Sequence, residues 1–441
     1  MYSTEVEKAL RAAGVQPGDR IRISRDGKSH QGLLLPHTVG DAGCLVLKLD
    51  SGYNIGIQAT DAKLEKAGGE REEFGRVSQS LLQLTFDPRR PAVALVSSGG
   101  TIASRVDYRT GGVHAVEDPR EFLHNVPELA EAINLVSISK PVSRMSEDMG
   151  HADWTAIAKA VFQELKKDVR GVILTHGTDT MHYTAAALSF FLRDLPKPVV
   201  MVGSQISSDR GSSDAGMNLI CAAHAALSDI AEVGVCMHGT LNDDYCLLLR
   251  GTAVRKMHTI RRDAFRPIND PPLARIFPEG RIDVLNRSHR RRGSQEPSLE
   301  AAFEPRIALL KVHPSSDPDI LDYYLGKGCK GFVIEGTGLG HVPTFADRSW
   351  IPAITRTVKE GIPVVVASQT VYGKVNATVY TNLRILGQAG AIPGEMLPET
   401  AFVKLGWVLA KTQEMDEVRR MMGTNVAGEI PERPLQEAFL R

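Results

Sequence analysis

Two rhythms of apolar and polar positions divide this chain. Over the first sixty residues, short runs follow one another: GDRIRIS, QGLLLP, CLVLKLD and NIGIQ, with turn chemistry such as Asp50-Ser51-Gly52 between them. Alternation of period two predicts half-buried strands. Placed after an amphipathic leading helix, these runs predict a small all-β barrel or sandwich. Residues 61 to 90 are charged and polar and read as a linker. From Pro91 the rhythm changes. The apolar runs PAVALVS, GVILT, PVVMVG and VGVCMH lack alternation, and helical patterns such as Met181–Leu192 and Met217–Leu227 lie between them. Strands that are apolar throughout and separated by helices predict a parallel sheet covered on both faces.

The stretch Gly280 to Glu304, with RSHRRRGSQEPS at its centre, interrupts this order and reads as a solvent-exposed connector. The runs RIALLKV, GFVIEG and PVVVAS, with a helix near Arg348–Lys359, then predict a second, smaller α/β unit. The expected organisation is therefore a barrel with leading helix and linker over residues 1–83, a large α/β domain over 84–295, a smaller one over 296–423, and a polar C-terminal tail over 424–441.

Composition adds exclusions. With 42% hydrophobic and 24% charged residues, the chain falls among ordinary globular proteins. Fifty-two basic residues balance 52 acidic ones, so no global field draws it to nucleic acid or membrane. Five scattered cysteines, with no C-x-x-C pair, argue against a disulfide framework or zinc cluster and for a reducing compartment. MYSTEVEKALRAAG carries mixed charge and is not a signal peptide, and no run is long and apolar enough to span a bilayer. Cytoplasmic localisation is the expectation. The chain has no G-x-x-x-x-G-K-[ST] phosphate loop, and EGTGLGH (Glu335 to His341) lacks the G-x-G-x-x-G spacing of a dinucleotide turn.

In open α/β sheets, chemistry collects where strands end and loops begin. Three such ends are rich in hydroxyls and acids: SSGGTIAS, SRMSEDMGHADW and ILTHGTDTMHYTAAAL. The first holds Thr101 on a glycine turn. The third delivers Thr178 and Asp179 at the start of a helix, where Asp179 or Thr180 also suits a helix N-cap. A threonine hydroxyl needs a base to become a nucleophile. Lys256, in the loop-like run RKMHTIRRDAF, supplies one if it is desolvated, with Asp179 to orient it and Thr178 to relay the proton. His176 and His182 flank Thr178 without a third metal ligand at suitable spacing and read as structural.

SSGGTIAS, SEDMGHADW, THGTDTMHYTAAAL and GSQISSDRGSSDAGMNL, in this order, resemble the motifs of the L-asparaginase family over about residues 91 to 420. The resemblance implies an α/β, two-domain L-asparaginase-like fold with parallel sheets, here preceded by the small all-β barrel. It also implies a Thr–Lys–Asp amidohydrolase centre. By position, Thr101 matches the nucleophile, Thr178 and Asp179 the second threonine and its aspartate, and Lys256 the family lysine. Ser146 and Glu147 match the loop that holds the amino-acid part of the substrate. Tyr108 is the candidate lid tyrosine, although the register of that role points nearer Val113. Ser98 replaces the usual threonine ahead of the two glycines. Both Thr101 and Thr178 remain eligible as the nucleophile.

The N-terminal barrel, with GLLLPHTVGDAGCLVLKLDSGYNIGI, and the late NVAGEIPER extend the resemblance to nearly the whole chain. In this extended form the chain is similar to the D-subunit family of archaeal glutamyl-tRNA(Gln) amidotransferases. That family implies a glutaminase that releases ammonia from glutamine for a partner, the E-subunit, which converts Glu-tRNA(Gln) to Gln-tRNA(Gln). No cofactor is expected in this chain, and ATP and Mg are expected at the partner. The tRNA would be held mainly by the partner, and a homodimer of this chain within a heterotetramer is implied, with no membrane. The alternative is a freestanding cytosolic L-asparaginase, and a third reading is a catalytically silent scaffold. The barrel is neither basic nor rich in stacking aromatics, which favours a protein contact over RNA readout. RSHRRR reads as a solvated run before it reads as a phosphate contact.

Overall fold

The computed structural model describes residues 2–35, 42–49, 54–68, 86–100, 102, 104–106, 113–115, 126, 128–207, 213–433 and 439. Among these residues the strands gather into three main sheets. The first is antiparallel, in the order Asn54–Gln58, Cys44–Leu49, Lys28–Leu34, Arg20–Arg25, Lys63–Lys66. In Arg20–Arg25 the two isoleucines, Ile21 and Ile23, are buried while Arg22 between them is exposed, as the pleat requires. Ile21, Ile23, Leu34, Leu45 and Leu47 pack with Val6 and Leu10 of the helix Thr4–Ala12. The linker reading began too early, because Lys63–Lys66 pairs with Arg20–Arg25 as the fifth strand. Its burial is slight and its composition is charged, so no apolar alternation marks it.

The largest sheet has eight strands. Asn134–Ser139, Ala92–Ser97, Val172–Thr175, Val199–Val202 and Val233–His238 run parallel in that spatial order. Helices cover both faces, which is why Val172–Thr175 and Val199–Val202 are buried throughout. The sheet is not parallel to its far edge. Cys246–Arg250, Ala274–Ile276 and Ile282–Val284 join it antiparallel. Connection length explains two of these reversals. Only residues 239–245 separate Val233–His238 from Cys246–Arg250, and only 277–281 separate the last two strands. Neither link is long enough for a crossover helix. The third sheet is parallel: Ile307–Lys311, Gly331–Gly336, Val364–Ser368 and Ile392–Pro393.

One helix joins the two α/β sheets into a common core. Pro398–Leu409 is buried on nearly every side, and Trp407 stacks on Phe190 at 5.6 Å. The core that contains Trp407 includes Ala94 and Val96 of the large sheet and Val333 and Val365 of the small one. A helix apolar all round belongs in an interior. Two charged side chains break the pattern, Glu399 in the first turn and Lys404, which is fully buried. Its ammonium donates to Glu429 Oε1 at 2.6 Å, to the Thr424 carbonyl at 2.6 Å and to the Met422 carbonyl at 3.1 Å. Glu429 in turn accepts from the backbone N–H groups of Val426 and Ala427.

Part of the segment after Gly423, read as a tail, therefore packs on the core: Val426, Ala427 and Ile430 are half-buried against it and Glu429 is buried. The connector is also stitched down. Arg292 donates to the carbonyls of Arg170, Ala226 and Ser228, and Arg290 to that of Val426. These two arginines are engaged with the protein's own backbone. Among the described residues no helix is long and apolar enough to cross a membrane.

Removing one member of a buried ion pair leaves the other charged and unpaired, at about 3–5 kcal/mol. Glu429→Ala should destabilise the chain by that amount in denaturant unfolding. Lys404→Met should cost a similar amount, because each partner, once alone, keeps two backbone contacts and no charge partner. A loss below about 1 kcal/mol for either variant would contradict the pairing.

Candidate active site

Three loops converge at the C-terminal ends of neighbouring parallel strands, and glycines allow it. Gly99 and Gly100 follow Ala92–Ser97 with φ of +100° and +83°, a region costly for side chains with a Cβ. A Cβ on Gly99 would lie 2.5 Å from the Arg144 carbonyl oxygen, and one on Gly100 would fall inside 3.0 Å of the Gly177 backbone. A Cβ on Gly177 would sit 2.8 Å from Ser146 Cβ and Oγ. The Gly-Gly turn, the Ser146 turn and the His176–Thr178 loop are thus in backbone contact. Hydrogen bonds fix them: Ser98 N–H and Oγ both donate to the Thr175 carbonyl, at 3.1 and 2.8 Å, and the Arg144 N–H donates to the Ser98 carbonyl at 3.2 Å. The serine at position 98 is fully buried, and its hydroxyl makes this bond as a threonine hydroxyl could.

Lys256 reaches this cluster from another strand. It is the last residue of Val254–Lys256, paired antiparallel with Phe265–Pro267, and not part of a loop. That strand is three residues long, too short for periodicity to reveal. Lys256 Nζ donates to Thr178 Oγ1 at 2.8 Å and to Asp179 Oδ1 at 2.7 Å, across 77 residues of sequence and more. The Lys256 side chain is 10% exposed and that of Asp179 is 63% exposed. The lysine therefore lies inside the cleft, and the carboxylate faces solvent, where it can take a second cation. Thr178 is buried, and accepting from Lys256 leaves its own hydroxyl proton free to move.

Ser146 opens the short 3-10 turn Ser146–Asp148 and is buried against Gly177, while Glu147 beside it is exposed. Thr180 stands at the N-cap position of the helix Met181–Phe191 without capping it. Its hydroxyl instead donates to the Ser146 carbonyl at 2.6 Å and ties the two loops together. Thr101 and Tyr108 lie outside the described residues, Thr101 between the described Gly100 and Ile102 and Tyr108 beyond them. Sequence reading missed Asp214, which is fully buried. It accepts from the N–H groups of Gln205 and Ile206 at 3.0 Å and so shapes the loop after Val199–Val202. Asn218, one helical turn on, donates to Asp214 and to the Gly203 carbonyl. The i, i+4 spacing inside SSDAGMNL was the available signal.

The two histidines near Thr178 are buried and neutral. Burial pulls the His176 imidazole down to about 4, against a bond to the Gly177 carbonyl. Burial pulls His182 down to about 3, with further lowering from the charges of Arg255 and Lys256. Among the described residues no group of histidines, cysteines and acids is placed to hold a metal ion.

The folded pKa of each histidine is depressed, so in the window below 6.5 the unfolded chain binds protons that the native state does not. Stability is then lost as pH falls toward about 4 for His176 and about 3 for His182. Relative to His182→Gln, the wild type should lose about 1–2 kcal/mol between pH 7 and pH 5 in parallel unfolding curves. Curves that stay parallel over this range would rule out the depressed titration.

Comparison with known proteins agrees with this architecture. The family model for the asparaginase N-terminal region matches residues 92–290, that for the glutaminase/asparaginase C-terminal domain 306–422, and that for the GatD N-terminal domain 15–66. Among solved structures, the thermostable L-asparaginase from Thermococcus kodakarensis aligns with a TM-score of 0.69 at 30% identity, over 78% of this chain and 100% of that one. L-asparaginase I from Vibrio cholerae aligns at 0.66 and 28%, over 78% and 99%. Among curated proteins, the glutamyl-tRNA(Gln) amidotransferase D-subunit of Thermococcus kodakarensis is 48% identical over 99% of both chains. The D-subunit of Pyrococcus abyssi is 47% identical over 99% of this chain and 100% of its own. Similarity of this extent, including the N-terminal sheet, means that the chain belongs to the D-subunit family of glutamyl-tRNA(Gln) amidotransferases.

Proposed function

We propose that this chain is the glutaminase component of a tRNA-dependent amidotransferase and acts through a threonine nucleophile. The observation that carries the chemistry is the bonding of Lys256 to both Thr178 and Asp179 at the loop cluster beside Gly100. In this reading the Thr101 hydroxyl adds to the side-chain amide carbon of glutamine. Its proton passes through Thr178 to Lys256 Nζ, which returns it to the departing ammonia. Asp179 orients the lysine and binds the substrate ammonium from its exposed side. Ser146 and Glu147 hold the amino-acid end, and Tyr108 closes over it. Backbone N–H groups of the glycine turn stabilise the oxyanion, about 3–4 kcal/mol for each donor. Water then resolves the acyl-enzyme to glutamate.

Freed ammonia has no acceptor in this chain, because making an amide from a carboxylate requires activation. A partner of the E-subunit type would hold ATP, Mg and most of the Glu-tRNA(Gln) contact. Assembly as a homodimer within a heterotetramer, in the cytoplasm, completes the proposal. Similarity to D-subunit relatives along the full length, N-terminal sheet included, favours this over a freestanding asparaginase.

In the assembled complex, Lys256→Ala should lower glutaminase kcat by at least ~10³-fold. A variant with undiminished kcat would refute the base assignment. Labelling with a diazo analogue of glutamine, followed by peptide mapping, should place the adduct on Thr101, and an adduct on Thr178 would reverse the two threonines. Full asparagine hydrolysis by the isolated chain, with no gain on adding the partner, would favour the freestanding enzyme.

A further inference from the structure

The front of Lys256 meets Thr178 and Asp179, but its strand is also held from behind, and that side has no role assigned. Thr252 and Thr400 are both buried. Thr400, in the first turn of Pro398–Leu409, donates its hydroxyl to the Thr252 carbonyl at 2.9 Å. Thr252 donates its own hydroxyl to the Ala427 carbonyl at 3.1 Å. Arg255, next to Lys256, pairs with Glu399 at 3.0 Å. Glu399 is buried, and its second carboxylate oxygen has no hydrogen-bond partner among the described residues, so Arg255 is its charge partner in the interior.

The C-terminal anchors are themselves immobilised. Lys404 and Glu429 form the buried pair that fixes 424–429 against the same helix. Gly428, with φ of +80°, lies flat on Arg250, where a Cβ would meet the guanidinium stem at 2.6 Å. Arg193 and Arg290 both donate to the Val426 carbonyl. The segment 424–430 lies beyond the 306–422 stretch matched by the glutaminase/asparaginase C-terminal model but within the stretch shared with D-subunit relatives.

We infer that the C-terminal helix Pro398–Leu409 and the strap 424–429 form a positioning device for the base: Thr400, Glu399 and Ala427 hold Thr252 and Arg255, and thereby set where Lys256 Nζ meets Thr178. This rests on the reading of Lys256 as the base. Thr252, Arg255, Glu399 and Thr400 are positioning residues, since their bonds run to one another and to Ala427 rather than to Thr178 or Asp179. Thr252, two residues ahead of the strand, is bonded through both its carbonyl and its hydroxyl, and Arg255 within the strand pairs with the same helix, so a shift of the strand disturbs at least one of these contacts. A displacement of about 1 Å at a reacting group is enough to cost up to about 10²-fold in rate.

The test uses the assembled complex with the full chain. Thr400→Val and Arg255→Met should each lower glutaminase kcat about tenfold or more while KM for glutamine stays within about twofold, the signature of a group needed only in the transition state. Thr400→Ser, which keeps the hydroxyl, should restore kcat to within about twofold of wild type. Lys256→Ala is run beside them. If Lys256→Ala is inactive while both positioning variants keep wild-type kcat, the positioning inference alone fails. If Lys256→Ala stays active, the base assignment fails and takes this inference with it. A loss confined to KM, or a kcat loss that Thr400→Ser does not restore, also overturns it. Should Thr400→Val fail to fold, Arg255→Met decides the question.

Discussion

Gly100, Gly177 and Ser146 belong to three different loops, yet a single added Cβ at either glycine would collide with the next loop. The site depends on this close backbone approach. It lets loops from separate strands share one small space, so that a hydroxyl at position 178 and the turn leading to position 101 end up side by side. The parallel sheet supplies the approach direction, because adjacent strands release their loops at the same edge. Glycine supplies the room. Short hydrogen bonds, Ser98 to Thr175 and Thr180 to Ser146, then keep the loops from parting.

Into this cluster comes a lysine from the antiparallel part of the same domain. Cys246–Arg250 runs back from the C-terminal edge of the sheet, and the chain then returns so that Lys256, at the end of Val254–Lys256, meets Thr178 and Asp179. The same strand is gripped from the rear by the C-terminal helix and by the strap that the Lys404–Glu429 pair secures. The reactive geometry is therefore set jointly by residues far apart in the sequence, from Thr178 to Ala427. A charge buried far from the cleft contributes to it by keeping its scaffold in place.

Much of this was legible in one dimension. Continuous apolar runs marked most parallel strands of the two α/β sheets, though not the edge strands Asn134–Ser139 and Ile392–Pro393, and alternation marked most of the first antiparallel sheet, since burial on two faces or on one leaves different patterns. Thr178, Asp179 and Lys256 were picked out by residue type and motif, and the structure brings those three into direct contact. What escaped were elements too short or too polar to carry a pattern: Lys63–Lys66, the strand bearing Lys256, and the segment after Gly423. The Arg255–Glu399 pair escaped for a related reason, because a buried polar group is identified by its partner, and partners need not be near in sequence.

The sequence by itself determined the kind of fold, the order of its parts, the family and the residue types available for amide chemistry, because all of these follow from local pattern and from motifs a few residues long. Only the tertiary structure decided how far those residues stand from one another, which histidines are forced neutral by burial, and that residues 426–430 of the apparent tail pack on the core. Distance, desolvation and the pairing of buried charge are set by what packs against a group, and for Lys256, His182 and Glu429 that surrounding is assembled from distant stretches of the chain.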